Sequence, residues 1–320
     1  MNQFINIIKN FKGKKIGIIG DLMLDKFIYG SFKRISPEAP VPIISVEKEI
    51  CMPGGAGNTA TNITALGGMA FVIGIVGNDQ AGKSLLFELK NKGVDAKGVI
   101  ETPNKKTIEK IRIIADKSHV ARLDKEEVKY IDGTTEKKIL KFVSSRIKEW
   151  DAIIFSDYAK GLITENLVRK TIKIAQKNKK LIIVDTKPKN AHFFKNADFL
   201  TPNHKEASDM AGVRDIKQAG KLIQKNMNCK VLITQGKKGM TIFDGNHVKH
   251  FPSYARKVLD VSGAGDTVTA AFCLSLISKA SVEQAVLISN HTAGIAVGKQ
   301  GTAVVGQKEL IEYFTNEYKD

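Results

Sequence analysis

From Thr134 onward the chain alternates helical stretches with short runs of Val, Ile and Leu, and this alternation restricts the fold more than any other feature. A helix at 134–148, a strand at 152–155, a helix at 164–177 and a strand at 181–184 follow one another. Short strands joined through helices pair as a parallel sheet, with right-handed crossovers. KIGIIG at 15–20 is apolar and ends in Gly-Asp, so it is expected as a buried strand delivering Asp21 to the sheet's carboxyl edge, where open α/β sheets bind ligands. Asp25 follows four residues later, and both aspartates have turn or cap formation as the rival role. No repeat, low-complexity tract or linker interrupts the 320 residues, which are expected to form a single domain over 1–320.

Two segments depart from the period. Residues 27–46 alternate apolar and polar side chains around the RISPEAPVP turn, and 107–114 with 119–123 make a second alternating pair around ADKS. Prolines suit edge strands, so the expectation is a small β-lid built from about 26–50 and 105–124. Lys110, Arg112 and Arg122 lie on it, with Arg34 at the turn. Only seven of the 50 basic residues are Arg, so lid arginines point to forked recognition of a phosphate; exposed strand charges are the competing explanation.

The chemistry concentrates at VLDVSGAGDTVTAAF, 258–272. Gly263, Ala264 and Gly265 precede a small-residue helix, whose unpaired amides would attract an anion. Asp266 would repel a phosphate there unless it accepts a proton from an attacking hydroxyl while the amides hold the charge on a transferring phosphoryl group. A plain cap with an acidic first turn is the alternative. PGGAGNTATNITALGG at 53–68 places Gly54, Gly55 and Asn58 where backbone approaches a ligand or packs tightly on the sheet. Strand ends carry Asp157 and Lys160 in SDYAKG, and Asp185 and Lys187 in DTKP. Asn203 and Glu206 in TPNHKEA could face a hydrated magnesium or form a capping box. VLITQGKKG at 231–239 runs a strand into a glycine turn suited to a nucleotide, and the small residues of 289–305 could wall an adenine pocket or fill core.

GNDQAGKS at 77–84 matches the P-loop pattern letter for letter between an expected strand at 71–76 and an expected helix at 80–92. Asp79 inside the loop argues against a triphosphate there. Elsewhere the bulk properties exclude more than they assign. The net charge of +17 comes from scattered lysines, which suits small anionic ligands and not nucleic acid. No segment is long and apolar enough for a membrane, so no membrane partner and a cytoplasmic location are expected. Cys51, Cys229 and Cys273 lack pairing or metal spacing and read as reduced thiols. His247 and His250 are expected to flank a surface hairpin.

GGAGN, the Asn203–Glu206 pair, the Thr234–Gly236 turn and GAGDT, in this order, resemble the ribokinase or phosphofructokinase B-type sugar kinases over nearly the whole chain. GDLMLD, RISPEAPVPI, SDYAKG and DVSGAGDT are similar to one branch, the D-glycero-β-D-manno-heptose 7-phosphate kinases, in the form that stands without a nucleotidyltransferase domain. The resemblance implies a ribokinase-like α/β fold and ATP-dependent phosphorylation of an anomeric hydroxyl, on the route to nucleotide-activated heptose for lipopolysaccharide or other surface glycans. It implies Asp266 as base and Gly263, Ala264 and Gly265 as anion hole. Asp21, Gly54, Gly55 and Asn58 match sugar positions. Asp25, Arg34, Lys110, Arg112, Arg122, Asp157, Lys160 and Lys187 complete the candidate substrate set. Asn203, Glu206, Thr234, Gly236, Gly239 and Asn290 fall to ATP and Mg²⁺, with Glu206 reaching the metal through water. Asp260 and the backbone near Gly301 match a monovalent cation site, K⁺ in kind. Ser262 stands where Thr is usual and keeps the hydroxyl. Fructose 6-phosphate or ribose as acceptor, and a P-loop ATPase using Lys83, stay open as alternatives. A homodimer through the lid edge is a further expectation.

Overall fold

β1 (Lys15–Gly20), preceded by α1 (Asn2–Lys9), is buried along almost its whole length, which explains its unbroken apolar run. Ile16, Ile18 and Ile19 are fully buried, and each stabilises the sheet by about 1.5–3 kcal/mol. The computed structural model describes residues 2–317 except 117, 256, 300 and 302. After Asp21 come the long strands β2 (Leu22–Ile35) and β3 (Pro42–Gly55), then α2 (Ala56–Ala65), β4 (Met69–Gly77), α3 (Gln80–Asn91) and β5 (Asp95–Thr102). The hairpin β6 (Ile108–Ala115) and β7 (Ser118–Lys125) follows. The alternating region gives α4 (Gly133–Arg146), β8 (Ala152–Asp157), α5 (Glu165–Lys177), β9 (Leu181–Thr186) and the short β10 (Phe199–Leu200). It continues with α6 (His204–Ala211), α7 (Ile216–Met227) and β11 (Lys230–Thr234). The hairpin β12 (Met240–Asp244) and β13 (His247–Phe251) precedes α8 (Ala264–Ile277), α9 (Val282–Ala296) and α10 (Gln307–Glu317).

Nine strands form one sheet in the order β13-β12-β11-β10-β9-β8-β1-β4-β5, parallel except at β12 and β13. The chain builds outward from β1 first to β4 and β5, then on the other side to β8 and beyond. The crevice between the ends of β1 and β8 is therefore the topological switch point. Helices α1, α2, α3, α8, α9 and α10 pack one face around Phe272, Leu274 and Phe314, and α4, α5, α6 and α7 pack the other around Trp150, Phe155 and Phe194. α8 is apolar or small on every side because it is buried over most of its length. Thr164, expected inside a helix, is instead the N-cap of α5, its hydroxyl accepting from the Leu167 amide.

β3-β2-β6-β7 form a second, four-stranded sheet over the switch point. Its strands are longer than the alternation at 27–46 implies, because β2 leaves β1 after one residue and β3 runs into α2. Pro37 and Pro40 fall in the connecting turn, and Pro42 opens β3, where no ladder amide is lost. His247 opens β13 and His250 lies within it, in the hairpin expected there. Among the described residues no helix is long and apolar enough to cross a membrane.

Candidate active site

Gly263 stands before α8 with φ +77°, a left-handed backbone that residues with a Cβ rarely adopt. Among the described residues no protein acceptor meets the Gly263, Gly265 and Asp266 amides, so they project as free donors at the positive end of the helix. Ala264 corrects the expected anion hole: its amide donates to the Val261 carbonyl at 3.2 Å and is not available.

Asp266 is buried in the first turn of α8 and collects three donors. Asn58 Nδ2 donates to its Oδ2 at 2.7 Å, while the Thr59 hydroxyl at 2.9 Å and the Tyr158 hydroxyl at 3.0 Å donate to Oδ1. Burial holds its carboxyl above the usual range, the three donors pull it back, and the charge of Asp25 adds to the rise. Oδ2 keeps a lone pair, so the group can take a proton from an incoming hydroxyl.

Asp185, at the end of β9, faces the same space, with Oδ2 3.9 Å from where a Cβ on Gly265 would stand. Burial, then the charges of Asp266 and Glu206, push its carboxyl up to about 8. Between about pH 4 and 8 the folded chain thus holds a proton that the unfolded chain has lost, so this group's contribution to stability falls as pH rises through that window. Asp185→Asn is expected to melt higher than the parent at pH 8 and to lose that advantage near pH 4, which a pH series of thermal unfolding checks.

The loop after β8 is pinned from below. Asp21 accepts from the amides of Tyr158 and Lys160, both at 3.0 Å, and from that of Leu162 at 3.2 Å, which leaves one acceptor position for a ligand. Lys105 Nζ ties the same loop by donating to the Lys160 carbonyl at 2.6 Å. Asp157 corrects its expected substrate role: the Ala159 amide at 2.8 Å donates to Oδ1 and Thr186 Oγ1 at 2.6 Å to Oδ2, while Asn190 Nδ2 reaches both oxygens at 3.1 and 3.0 Å, so each oxygen of the buried carboxylate already takes two contacts within the chain. Lys160 Nζ pairs with Glu126 at 2.7 Å.

Asn203 and Glu206 form a capping box at the start of α6. Glu206 also takes Lys187 Nζ at 2.5 Å, at the cleft floor. Burial opposes the Lys187 charge, but the Glu206 bond and the carboxylates of Asp185 and Asp266 outweigh it and hold the ammonium above its usual range. Among the described residues no cluster of three or more His, Cys, Asp or Glu side chains could hold a metal. The donor set fits a magnesium ion carried mainly by phosphate and water, not a protein-built cage.

On the second sheet the register sets Asp25 beside Lys110, and Lys110 opposite Asp124; the next row aligns Phe27, Arg112 and Arg122. Asp25 accepts from Arg112 at 2.6 Å in a largely buried ion pair, and Gly54 is required beside it because a Cβ there would run into Asp25 Oδ2. Gly55, the N-cap of α2, lies next to it. Arg122 is forked onto Asp124 at 2.8 and 2.9 Å. Arg34 is a correction: it is exposed nine positions beyond Asp25 on β2, roughly 30 Å along an extended strand, and does not reach this cleft within one chain.

Beyond the α8 terminus lies a mostly apolar cavity of about 530 Å³, lined by Thr234, Gly236, Gly239, Val258, Ala293 and Asn290 among others, and by Gly265 at its mouth. It has the size and character of a nucleoside pocket. Asn290 donates to the Pro252 carbonyl at 2.8 Å and so fixes the pocket wall. Asp260 accepts from the Ser262 amide at 2.8 Å and the Gly301 amide at 3.1 Å, next to Gln300 and Thr302, which lie outside the described residues.

The P-loop pattern folds as an ordinary strand and helix. Asp79 caps α3, accepting from the Gly82 and Thr107 amides, both at 2.8 Å, so a carboxylate fills the place a phosphate would need. Lys83 is exposed on α3. Lys83→Ala is expected to leave ATP affinity and turnover within about twofold of the parent, as judged by nucleotide titration and steady-state rates.

Free helix amides, a buried carboxylate beside them and a nucleoside-sized pocket behind are the parts of a phosphoryl-transfer site. The model of the pfkB family carbohydrate kinases matches residues 15–308, and the chain belongs to that family: it is an ATP-dependent sugar kinase. It is 38% identical over 301 residues to the bifunctional protein HldE of Geobacter sulfurreducens, an alignment covering 92% of this chain and 61% of that protein. The chain therefore spans about three fifths of that relative's length. Among solved structures it shares its ribokinase-like fold with phosphofructokinase-2 from Escherichia coli in complex with potassium, at TM-score 0.77 and 19% identity over 95% of this chain and 99% of that one. Arabidopsis thaliana ribokinase complexed with ribose and ATP aligns at TM-score 0.73 and 18% identity, over 94% and 98%. Nothing local in the sequence marks Thr59, Lys105 or Tyr158 as part of this site, and Asp185 shows there only as a strand-end residue.

Proposed function

We propose that this kinase transfers the γ-phosphoryl group of ATP to the anomeric hydroxyl of D-glycero-D-manno-heptose 7-phosphate, giving heptose 1,7-bisphosphate for nucleotide-activated heptose and surface glycan synthesis. The observation that carries this reading is Asp266, buried beside open amides and under a sheet whose inner face presents Lys110 and Arg112. The heptose motifs and the similarity to a protein named HldE support the acceptor.

The sugar lies between Gly54, Gly55, Asn58 and the carboxyl ends of β1 and β8, with its 7-phosphate toward Lys110 and the neighbouring cations. Asp266 takes the hydroxyl proton as the oxygen attacks in line, and the Gly263 and Gly265 amides receive the charge that develops on the phosphoryl oxygens. Lys187 adds a positive charge at the floor. Glu206 and Asp185 are the residues that would face a magnesium ion brought with ATP, and such an ion would supply shielding of the phosphate charge. Asp260 and the Gly301 backbone are the groups that would hold a potassium ion. Closure of the lid sheet excludes water and with it wasteful ATP hydrolysis. The exposed Phe32, Ile35, Val41 and Val46 at the tip of that lid form the surface for a homodimer. The kinase fold makes one domain of this chain, working in the cytoplasm.

Phosphorus NMR of the product tests the chemistry. A new anomeric phosphate signal beside the retained 7-phosphate is expected; a product carrying phosphate at any other position overturns the reading.

A further inference from the structure

We propose that Tyr158 is the positioning residue of the base, holding Asp266 in its attacking orientation and coupling that orientation to closure of the lid. The inference rests on the reading of Asp266 as general base.

Among the described residues, Tyr158 is the one side-chain hydrogen-bond donor to Asp266 that does not come from α2. Its hydroxyl donates to Oδ1 at 3.0 Å, while its backbone amide is held by Asp21 at 3.0 Å, so the phenol is fixed at both ends of the residue. Two ammonium groups rest against its ring. Lys187 Nζ, from the core, lies 5.2 Å from the ring centroid, and Lys110 Nζ, from the lid, lies 5.7 Å away. A cation at that distance is attracted to the ring face. Lys110 is carried on the lid strand β6, and in this arrangement it lies against the same ring that orients the base, so a lid that opens takes this contact with it. Groups facing Asp266 are Asn58 and Thr59 on α2, Asp25 on β2, Asp185 on β9, Lys187 beyond it and Tyr158 itself. Of the three donors, the tyrosine hydroxyl can be deleted without a substitution in α2, which packs against α8.

Tyr158→Phe keeps the ring and its cations but removes the donor. A hydrogen bond to a charged group is worth enough that kcat is expected to fall roughly 10- to 100-fold, with KM for ATP unchanged. Loss of a donor to the carboxylate also raises its pKa, so the acid limb of the kcat profile moves to higher pH. Tyr158→Leu removes the ring as well and is expected to raise KM for heptose 7-phosphate in addition. Carboxyl carbon NMR of Asp-labelled protein reads the same shift without any acceptor, the Asp266 signal being identified by its loss in Asp266→Asn. Parental kcat and an unmoved Asp266 titration in a folded Tyr158→Phe protein overturn the inference. An active Asp266→Asn variant overturns the base reading instead.

Discussion

Asp266→Asn is expected to lower kcat by on the order of 10²–10⁴ while leaving ATP affinity within a few-fold of the parent. The amide is nearly the same size and can still receive Thr59 and Tyr158 at its oxygen, so the fold of the α8 terminus survives. What disappears is the acceptor for the substrate proton. The nucleoside cavity lies on the far side of the Gly265 amide and does not depend on the carboxylate. Nucleotide titration and steady-state turnover on the same preparation separate the two effects. A variant with near-parental turnover would remove general-base catalysis from the account.

The second large effect is structural. Asp25→Ala leaves the Arg112 guanidinium without its partner in a site where the arginine side chain is 15% exposed. Removing one member of a buried pair costs about 3–5 kcal/mol, more than removing both. The double variant Asp25→Ala/Arg112→Ala is therefore expected to be more stable than Asp25→Ala alone. Because the pair sits where β2 meets β6, the loss should appear in the lid first, as a raised KM for the sugar before any change in ATP affinity. Denaturant unfolding of the three variants with acceptor kinetics provides the check, and equal stability of single and double variants would mean the ion pair is not the lid's fastening.

The sheet was legible because its signal is local. Residues 152–155 and 181–184 are apolar runs that coincide with β8 and β9, and Thr164 is a hydroxyl where a helix begins. β5 was not read, since DAKGVIET carries too few consecutive apolar residues to show a strand. The glycine turn before α8 was legible as well: GAGDT announces itself by glycines before a helix. The base's surroundings were not. Asp266 meets Asn58, Thr59 and Tyr158 across 208, 207 and 108 positions of chain, and nothing local at Tyr158 or Thr59 marks them as its partners. Asp157 shows the converse error. An aspartate at a strand end suits ligand binding, yet Thr186 and Asn190, distant in sequence, consume its acceptors. The P-loop pattern failed for a readable reason, Asp79, because a capping carboxylate competes for the same amides as a phosphate.

ADP release by the purified protein with Mg-ATP and D-glycero-D-manno-heptose 7-phosphate, run beside fructose 6-phosphate and ribose, decides whether the heptose phosphate is the acceptor. Strong turnover with the heptose phosphate and little with the other two is expected. Preferred turnover on fructose 6-phosphate or ribose, or ADP release indifferent to every sugar, would contradict it.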